Sequence, residues 1–494
     1  MTAILIIAGV VLLIWFVTRA ASRKKTQVRP TTPRIVASMT PPARAPVRRE
    51  RKPLGPEPFR LEDVRLDDPH FKSALGFLES GKSVFITGKA GTGKTTLLRY
   101  FRETTRKSVV VLAPTGVAAL NIGGQTIHSF FRLPPRDFIE PDTMTPPRGR
   151  SHLLMTKLET LIIDEVSMVR ADILECIDRL LRMARSRPGE AFGGVQLVLI
   201  GDPYQLPPVV QDPEVRQHFI RQYGGPYFFR SPALRQARFR LIELQKSYRQ
   251  DDEQFLALLN AVRENMMGPQ SLSLLNTRMV SRDIAFEGKP FITATPTNAQ
   301  AQQINTSFLA ALPGEEVVLT GAFTGEFDHT GTGPPGKLPT DDPLILKEGA
   351  QVMLVRNDAQ RRWVNGTLAI VARDPRVSIA VNIGGMVYQV DRCVWEKIRY
   401  KYDHEEGRIV PEVVGTFTQY PLKLGWAFTI HKVQGLTLDR LFLDLAGGAF
   451  AHGQTYTALS RCRSLAGIAL GREVLPSDII LDAEILSFRE AFRT

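Results

Sequence analysis

Residues 88–95 have the types and spacing of a loop that binds the phosphates of a nucleotide. They read Gly-Lys-Ala-Gly-Thr-Gly-Lys-Thr and fit the pattern G-x-x-x-x-G-K-[ST]. The sequence predicts a strand at 83–87 before the loop and a helix at 96–101 after it, so that backbone N–H groups and a helix N-terminus face the phosphates. Lys94 would then reach the β- and γ-phosphates, and the Thr95 hydroxyl would be a ligand of Mg²⁺. The expected nucleotide-binding residues are Gly88, Gly91, Thr92, Gly93, Lys94, Thr95 and Thr96.

Two carboxylates, Asp164 and Glu165, follow an apolar run farther along the chain. The run, Leu-Ile-Ile at 161–163, predicts a buried parallel strand that emerges beside the glycine-rich loop. Asp164 would join the coordination shell of Mg²⁺, and Glu165 would polarise a water molecule for in-line attack on a phosphate. A surface Asp-Glu pair without function is the alternative that these residues leave open. Gln205 follows a second apolar run, at 198–200, and is a candidate sensor of the γ-phosphate.

The segments around these polar residues resemble a known family. Residues 164–168 and 201–208 resemble motifs II and III of the superfamily 1 helicases, and they are most similar to the petite-integration-frequency (Pif) branch of superfamily 1B and its RecD-like relatives. Four further segments resemble the other motifs in the family's order: motif Ia at 113–130, motif IV at 247–250, motif V at 427–438 and motif VI at 456–461. Residues 169–185 stand where the branch carries its signature helix. The resemblance extends from about residue 71 to residue 472.

The chain departs from the family pattern at three places. Many relatives have a glutamine ahead of the phosphate-binding loop that contacts adenine, whereas residues 67–71 read Asp-Asp-Pro-His-Phe. The basis of adenine recognition is therefore left open. Tyr248 replaces the usual Phe of motif IV, and Val433 replaces the usual small Ser of motif V. Neither change removes a charged group.

The resemblance implies an α/β fold with two RecA-like P-loop domains. We expect the first domain at 59–245, with a small strand-separating insertion at about 132–150. We expect the second at 246–494, with a small β-barrel inserted at about 320–420. Alternating apolar runs and helical stretches along both segments agree with this organisation.

The resemblance also implies roles for individual residues. Arg249 and Arg461 would come from the second domain as arginine fingers on the γ-phosphate, so that ATP closes the cleft between the domains and hydrolysis opens it. The expected catalytic residues are Lys94, Glu165, Gln205, Arg249 and Arg461. The expected DNA-binding residues are Thr115, Gly116, Asn121, Thr126, His128, Phe130, Thr429, His431, Lys432 and Gln434. Phe130 could stack on a base or could equally be a core residue.

Composition sets limits on these interpretations. The 494 residues carry a formal net charge of +13, but residues 19–52 contain eight Arg and three Lys against one Glu. Because the basic residues are concentrated in this segment, the overall charge does not itself indicate DNA binding, which rests on the motifs. The three cysteines, Cys176, Cys393 and Cys462, lack metal-site spacing and suit reduced thiols in a cytoplasmic protein.

The N-terminal residues predict a membrane anchor. Residues 3–18 are almost wholly apolar, and a helix over 1–18 would be about 27 Å long at roughly 1.5 Å per residue. The basic residues that follow predict that this flank stays in the cytoplasm. We therefore expect a single transmembrane helix at 1–18 in the inner (plasma) membrane, a disordered Pro-rich linker at 19–58 and a cytoplasmic motor. A start of translation farther along, for example at Met39, is the alternative.

Together these features predict an ATP-dependent DNA helicase that uses ATP and Mg²⁺. The resemblance implies movement from 5′ to 3′ on single-stranded DNA, unwinding of forked duplexes, and a role in DNA repair, recombination or genome maintenance. Two alternatives are an ATP-gated DNA tether at the membrane, which grips DNA without unwinding it, and a RecD-like subunit of a larger complex.

Overall fold

The computed structural model describes residues 68–488 and Phe492, except for Ala90, Gln211, 247–251, 328–337 and Arg361. Within this part of the chain, no helix is both long enough and apolar enough to cross a bilayer. This finding corrects the expectation of a transmembrane helix and of an inner-membrane location, because the described residues give neither any support. The apolar run behind that expectation, at 1–18, is at the lower limit of a spanning length. This run and the linker at 19–58 lie outside the described residues.

The first RecA-like domain is built on a parallel sheet with the strand order β3-β2-β4-β5-β1-β6. Its strands are β1 Val84–Gly88, β2 Val109–Ala113, β3 Gln125–Thr126, β4 Thr160–Ile163, β5 Gln196–Ile200 and β6 Arg240–Leu244. Most of their residues are buried because helices cover both faces of the sheet, which explains the continuous apolar runs in the sequence. Strand β5 lies between β1 and β4, so the phosphate-binding loop and the Asp-Glu pair follow two strands that have one strand between them.

Eight helices of this domain are described. They are α1 Pro69–Glu79, α2 Lys94–Thr104, α3 Gly116–Asn121, α4 Ile127–Phe131, α5 Gly149–Lys157, α6 Ala171–Arg185, α7 Pro213–Tyr223 and α8 Pro232–Gln236. Asp68 caps α1 by accepting from the backbone N–H of His70 and Phe71. Successive side chains of β1 point to opposite faces of the sheet. Val84 and Ile86 pack against α1 and α2, whereas Phe85 belongs to the larger apolar core on the other face.

The segment expected to separate strands, 132–150, packs against α6. The buried carboxylate of Asp172 accepts from the backbone N–H of Ile139 at 2.8 Å and from the guanidinium of Arg170 at 3.0 and 2.9 Å. Arg179, two turns farther along α6, pairs with Asp142. Helix α6, which stands at the position of the family's signature helix, therefore holds this segment through Ile139 and Asp142.

The second RecA-like domain contains a smaller parallel sheet, with the order β18-β7-β19-β20. The remaining strands are β7 Ile292–Thr295, β8 Val317–Leu319, β9 Ala322–Gly325, β10 Leu344–Leu346, β11 Gln351–Leu354, β12 Leu368–Val371, β13 Ala380–Ile383, β14 Met386–Gln389, β15 Cys393–Asp403, β16 Arg408–Gln419, β17 Leu422–Leu424, β18 Ala427–Thr429, β19 Leu441–Leu443 and β20 Ile468–Leu470. The helices are α9 Glu253–Arg263, α10 Pro269–Asn276, α11 Asn298–Ala311, α12 Ile430–Val433, α13 Gln454–Leu459 and α14 Ala483–Leu486. Short 3₁₀ helices lie in the first domain at Pro141–Thr143, Val166–Met168, Ala191–Gly194 and Phe228–Arg230. In the second domain they lie at Arg282–Gly288, Leu465–Gly467 and Pro476–Asp478.

Strands β8 to β17 are antiparallel and form three sheets of their own. Strands β10 to β13 and β17 share one apolar core, whereas the sheet of β9, β15 and β16 contributes Trp395 and Phe417 to a smaller one. The longest pair, β15 and β16, makes a hairpin that reaches the first domain. At this contact the hydroxyl of Tyr400 accepts from the backbone N–H of Val111 at 3.1 Å, and Arg150 pairs with Glu412 at 2.9 Å.

The C-terminal segment returns to the first domain. The ring of Phe492 lies 4.9 Å from that of Phe85, centroid to centroid, and Phe488 packs against the same ring. The hydroxyl of Tyr227 donates to Asp482 at 2.6 Å. The two domains are thus joined both by the chain that leads into α9 and by this segment.

Candidate nucleotide and DNA sites

The phosphate-binding loop connects β1 to α2, as the sequence predicts. Gly88 has a φ of 153°, and a Cβ at this position would lie 2.7 Å from the carbonyl oxygen of Leu244, so only glycine fits. Gly93, with a φ of 85°, precedes the first helical residue. The ammonium of Lys94 donates to the carbonyls of Gly88 at 2.7 Å and Lys89 at 2.9 Å. The group expected to reach the β- and γ-phosphates is therefore held within the loop that would surround them.

Three threonines follow in this loop and helix. Thr92 is buried, and its hydroxyl donates to the carbonyl of Lys89 at 2.9 Å, which braces the loop. Thr95 and Thr96 lie exposed in the first turn of α2. Their hydroxyls are accessible to a nucleotide or a metal ion at a helix N-terminus that favours anions.

Asp164 and Glu165 lie directly after β4. Burial and the neighbouring Glu165 carboxylate raise the pKa of Asp164 to about 7, against the opposing effects of the Glu165 backbone N–H and of Lys94. Mg²⁺ beside this carboxylate would stabilise its charged form. Asp164 and Thr95 therefore fit the expected Mg²⁺ ligands. Glu165 itself has a left-handed backbone, with a φ of 51°.

Glu165 contacts the second domain. The side-chain amide of Gln434, in the segment that resembles motif V, donates to a carboxylate oxygen of Glu165 at 3.0 Å. Gln434 directly follows α12, whose first turn contains the DNA-binding candidates His431 and Lys432. A residue expected to bind DNA therefore contacts the carboxylate expected to activate water. The sequence identified both residues but not their contact.

Gln205 and Arg461 are both buried in the described arrangement. Arg461 is 2% exposed and donates to the carbonyl of Thr457 and the hydroxyl of Ser460, near the end of α13. Within the described residues it forms no ion pair with a carboxylate, and burial lowers its pKa. The charges of Glu165 and Asp202 oppose this shift, and an anion in direct contact with the guanidinium would stabilise it further, which is the chemistry expected of an arginine finger. Arg249 lies outside the described residues.

Three of the expected DNA-binding threonines are N-caps of short helices. Thr115 caps α3, Thr126 caps α4 and Thr429 caps α12, in each case by accepting from a backbone N–H three residues farther on. Thr115 lies two residues after β2, and Thr126 and Thr429 are the last residues of β3 and β18, so each lies at the carboxyl end of a strand. Gly116 begins α3, and Asn121 is exposed at its end. Lys432 is exposed on α12, where its ammonium can contact a phosphate.

Three aromatic candidates are less exposed than Lys432. Phe130 is 6% exposed and meets Phe131 and Tyr400 edge-on, so its ring belongs to the core and is not open to a base. The stacking role therefore does not fit this arrangement, because the hairpin residue Tyr400 covers the ring. His431 is half-buried, and burial lowers its pKa. His128 is also half-buried, in α4.

Some residues near the site were not singled out from the sequence. Thr297 caps α11 after β7, just as Thr115 caps α3 after β2. The signal was present, since a Pro-Thr pair precedes the helix in both domains. Asp202 lies within motif III but was not predicted to have a role of its own, yet its buried carboxylate is a central contact between the two domains.

Comparison with known proteins identifies the family. Residues 72–267 match the model of the PIF1-like helicase family. The chain is 35% identical over 429 residues to the ATP-dependent DNA helicase Pif1 of Bdellovibrio bacteriovorus, an alignment that covers 86% of this chain and 92% of that protein.

Solved structures agree. The crystal structure of Bacteroides sp Pif1 in complex with ADP-AlF4 superposes with a TM-score of 0.78 at 34% identity, over 87% of this chain and 97% of that one. Bacteroides Pif1 bound to ssDNA gives a TM-score of 0.63 at 35% identity, with the same coverage. The arrangement described for this chain is therefore more similar to the first of these structures. The chain belongs to the PIF1-like helicases of superfamily 1B.

Proposed function

We propose that the protein is an ATP-dependent DNA helicase that moves from 5′ to 3′ on single-stranded DNA and unwinds forked duplexes. The observation that carries this proposal is the hydrogen bond from Gln434 to Glu165, because it links a DNA-binding segment of one domain to the candidate catalytic carboxylate of the other. Binding of DNA along one face and hydrolysis in the cleft can then be coupled without an intermediary.

The proposed chemistry uses residues from both domains. Lys94 would bind the β- and γ-phosphates, and Thr95 and Asp164 would hold Mg²⁺, which would neutralise charge on the phosphates. Glu165 orients and polarises the attacking water. Gln205 and Arg461 would contact the γ-phosphate from different domains, and the buried guanidinium of Arg461, which has no carboxylate partner among the described residues, supports this role.

The DNA track would lie across the N-termini of α3, α4 and α12. Single-stranded DNA bound by a Pif1 relative, as in the Bacteroides complex, supports this class of ligand. The polarity and a role in repair, recombination or genome maintenance follow from family resemblance and belong to the proposal.

Strand displacement tests the function directly. We expect ATP and Mg²⁺ to support unwinding of a fork with a 5′ single-stranded tail, and not of a duplex with only a 3′ tail. The Lys94→Ala variant should be inactive on both substrates. Lys82→Ala, which changes an exposed lysine before β1, should match the wild type. Unwinding from the 3′ tail would overturn the polarity, and DNA-stimulated ATP hydrolysis without displacement would favour a tether.

A further inference from the structure

A buried ionic cluster connects the two domains beside the nucleotide cleft. Its centre is Asp202, 1% exposed, which follows β5 of the first domain. One carboxylate oxygen lies 3.3 Å from the guanidinium of Arg263, and the other accepts from the hydroxyl of Tyr456 at 3.1 Å. Arg263 is 3% exposed and Tyr456 is 4% exposed. Both partners belong to the second domain, where Arg263 ends α9 and Tyr456 lies in α13.

The first domain surrounds the guanidinium on two further sides. Arg263 lies 3.8 Å from the centroid of the Tyr204 ring, a cation–π distance, and 3.8 Å from Glu243 of β6. Burial by itself would lower the pKa of Arg263, but Asp202 and the other neighbours raise it above its ordinary value. The cation is thus bound by the first domain although it belongs to the second.

The backbones of the two domains also approach closely here. A Cβ on Gly453, the residue before α13, would lie 2.5 Å from the carbonyl oxygen of Tyr204 and 2.7 Å from that of Gln205. The ring of His452 bonds the carbonyl oxygen of Pro203 at 3.0 Å. The start of α13 therefore sits on the backbone of motif III, with no room for a larger residue at 453.

Two residues of this cluster are close in sequence to the two groups that we propose to contact the γ-phosphate. Gln205 is three residues after Asp202, and Arg461 is five residues after Tyr456. We propose that Asp202, Arg263 and Tyr456 are positioning residues, which hold motif III and α13 in register so that Gln205 and Arg461 meet the γ-phosphate together. The inference rests on the proposed ATP hydrolysis. The cluster is expected to affect the rate of the chemical step and not the binding of the nucleotide.

The physical reason is that a buried ion pair is a specific contact more than a stabilising one. Its desolvation cost is large, and apolar residues of similar size often stabilise a fold equally well. An ion pair is nevertheless demanding in geometry, because a displaced partner leaves a buried charge unpaired. Domain positions that move Asp202 away from Arg263 and Tyr456 are therefore disfavoured.

Tyr456→Phe is the most specific test, since it removes one hydroxyl and leaves the Asp202–Arg263 pair in place. We expect kcat for ATP hydrolysis with saturating single-stranded DNA to fall about tenfold, in line with loss of a hydrogen bond to a charged group, while KM for ATP changes less than about twofold. Tyr227→Phe is the matched control. It removes a Tyr–Asp hydrogen bond between the first domain and the C-terminal segment, leaves Asp202, Arg263 and Tyr456 unchanged, and should keep the wild-type kcat.

A second set of variants tests whether the residues act as a unit. Asp202→Asn should lower kcat by removing the charge that pairs with Arg263, and adding Tyr456→Phe should lower kcat less than it does in the wild type, because both residues belong to one network. Arg263→Lys should retain part of the rate by keeping the charge.

Three outcomes would refute the inference. They are a Tyr456→Phe enzyme with wild-type kcat, an equal loss in Tyr227→Phe, and a rise in KM with unchanged kcat. If the wild type itself failed to hydrolyse ATP with DNA present, the proposed function would fall as well. An active wild type with a normal Tyr456→Phe variant would remove only the positioning role.

Discussion

Replacing Gln434 with alanine should uncouple DNA binding from ATP hydrolysis. In the described arrangement the Gln434 amide occupies one oxygen of Glu165, the group expected to polarise the attacking water. Gln434 directly follows α12, so DNA that binds Lys432 on that helix would shift the amide relative to the carboxylate. The substitution removes this connection and leaves the nucleotide-binding loop intact.

The size of the effect follows from the contact. A hydrogen bond to a charged group contributes about 1.5–3 kcal/mol when it is well shielded from water. Gln434 and Glu165 are both half-buried, which favours the lower end of that range. Since about 1.4 kcal/mol corresponds to a factor of ten in rate, the ratio of DNA-stimulated to basal ATPase should fall about tenfold. The stimulated rate should account for most of the change.

The assay is steady-state ATP hydrolysis with and without saturating single-stranded DNA. Gln300→Ala is a matched control, because Gln300 is a glutamine of the same domain whose amide donates to the carbonyl of Ala446 at the surface. It should keep the wild-type ratio. An equal fall of the basal and stimulated rates in Gln434→Ala would refute the reasoning and would assign Gln434 to nucleotide binding or to folding.

The other predictions concern single groups. Lys94→Ala should abolish ATP turnover, whereas Glu165→Gln should bind ATP, as measured with a fluorescent analogue, yet hydrolyse it at least about 100-fold more slowly; near-normal turnover in Glu165→Gln would remove its catalytic role. Arg461→Lys should lower kcat by about 10³ with nearly unchanged nucleotide affinity, the behaviour of an arginine finger. His452 has a pKa lowered by burial, so the unfolded chain binds more protons and stability should fall as pH drops below about 6.5. Thermal melts at pH 7.5 and 5.5 should show a smaller loss for His452→Gln.

The sequence predicted the local parts of the site because each is short and continuous. The glycines at 88, 91 and 93, the preceding strand and the following helix lie within about twenty residues, and their side-chain types determine the turn. Strand β4 was predicted at 161–163 and is observed at Thr160–Ile163, because an apolar run that ends in two carboxylates has few other structures. The apolar run at 1–18 shows the opposite case, since hydropathy alone gave an anchor that the described structure does not support.

Contacts between distant segments could not be predicted in the same way. Gln434 and Glu165 are 269 residues apart, and nothing in either motif specifies that one donates to the other. Tyr400 reaches Val111 only because the β15–β16 hairpin is long enough to cross to the first domain. The same contact buries Phe130, whose type alone is equally compatible with a core or with a base-stacking position.

The cleft contains a carboxylate that a cation would stabilise and a guanidinium that an anion would stabilise, so a metal-bound triphosphate would suit both groups. The pKa of Asp164 is raised to about 7 by burial and Glu165, so its charged form needs a cation. Arg461 is buried, with no carboxylate partner among the described residues, so it needs an anion. The ammonium of Lys94 donates to the carbonyl oxygens of Gly88 and Lys89, at the loop that would surround the phosphates. Mg²⁺ together with a triphosphate supplies both charges at once. Because Asp164 and Arg461 belong to different domains, the same ligand favours their approach, and loss of the γ-phosphate removes the anion that Arg461 requires.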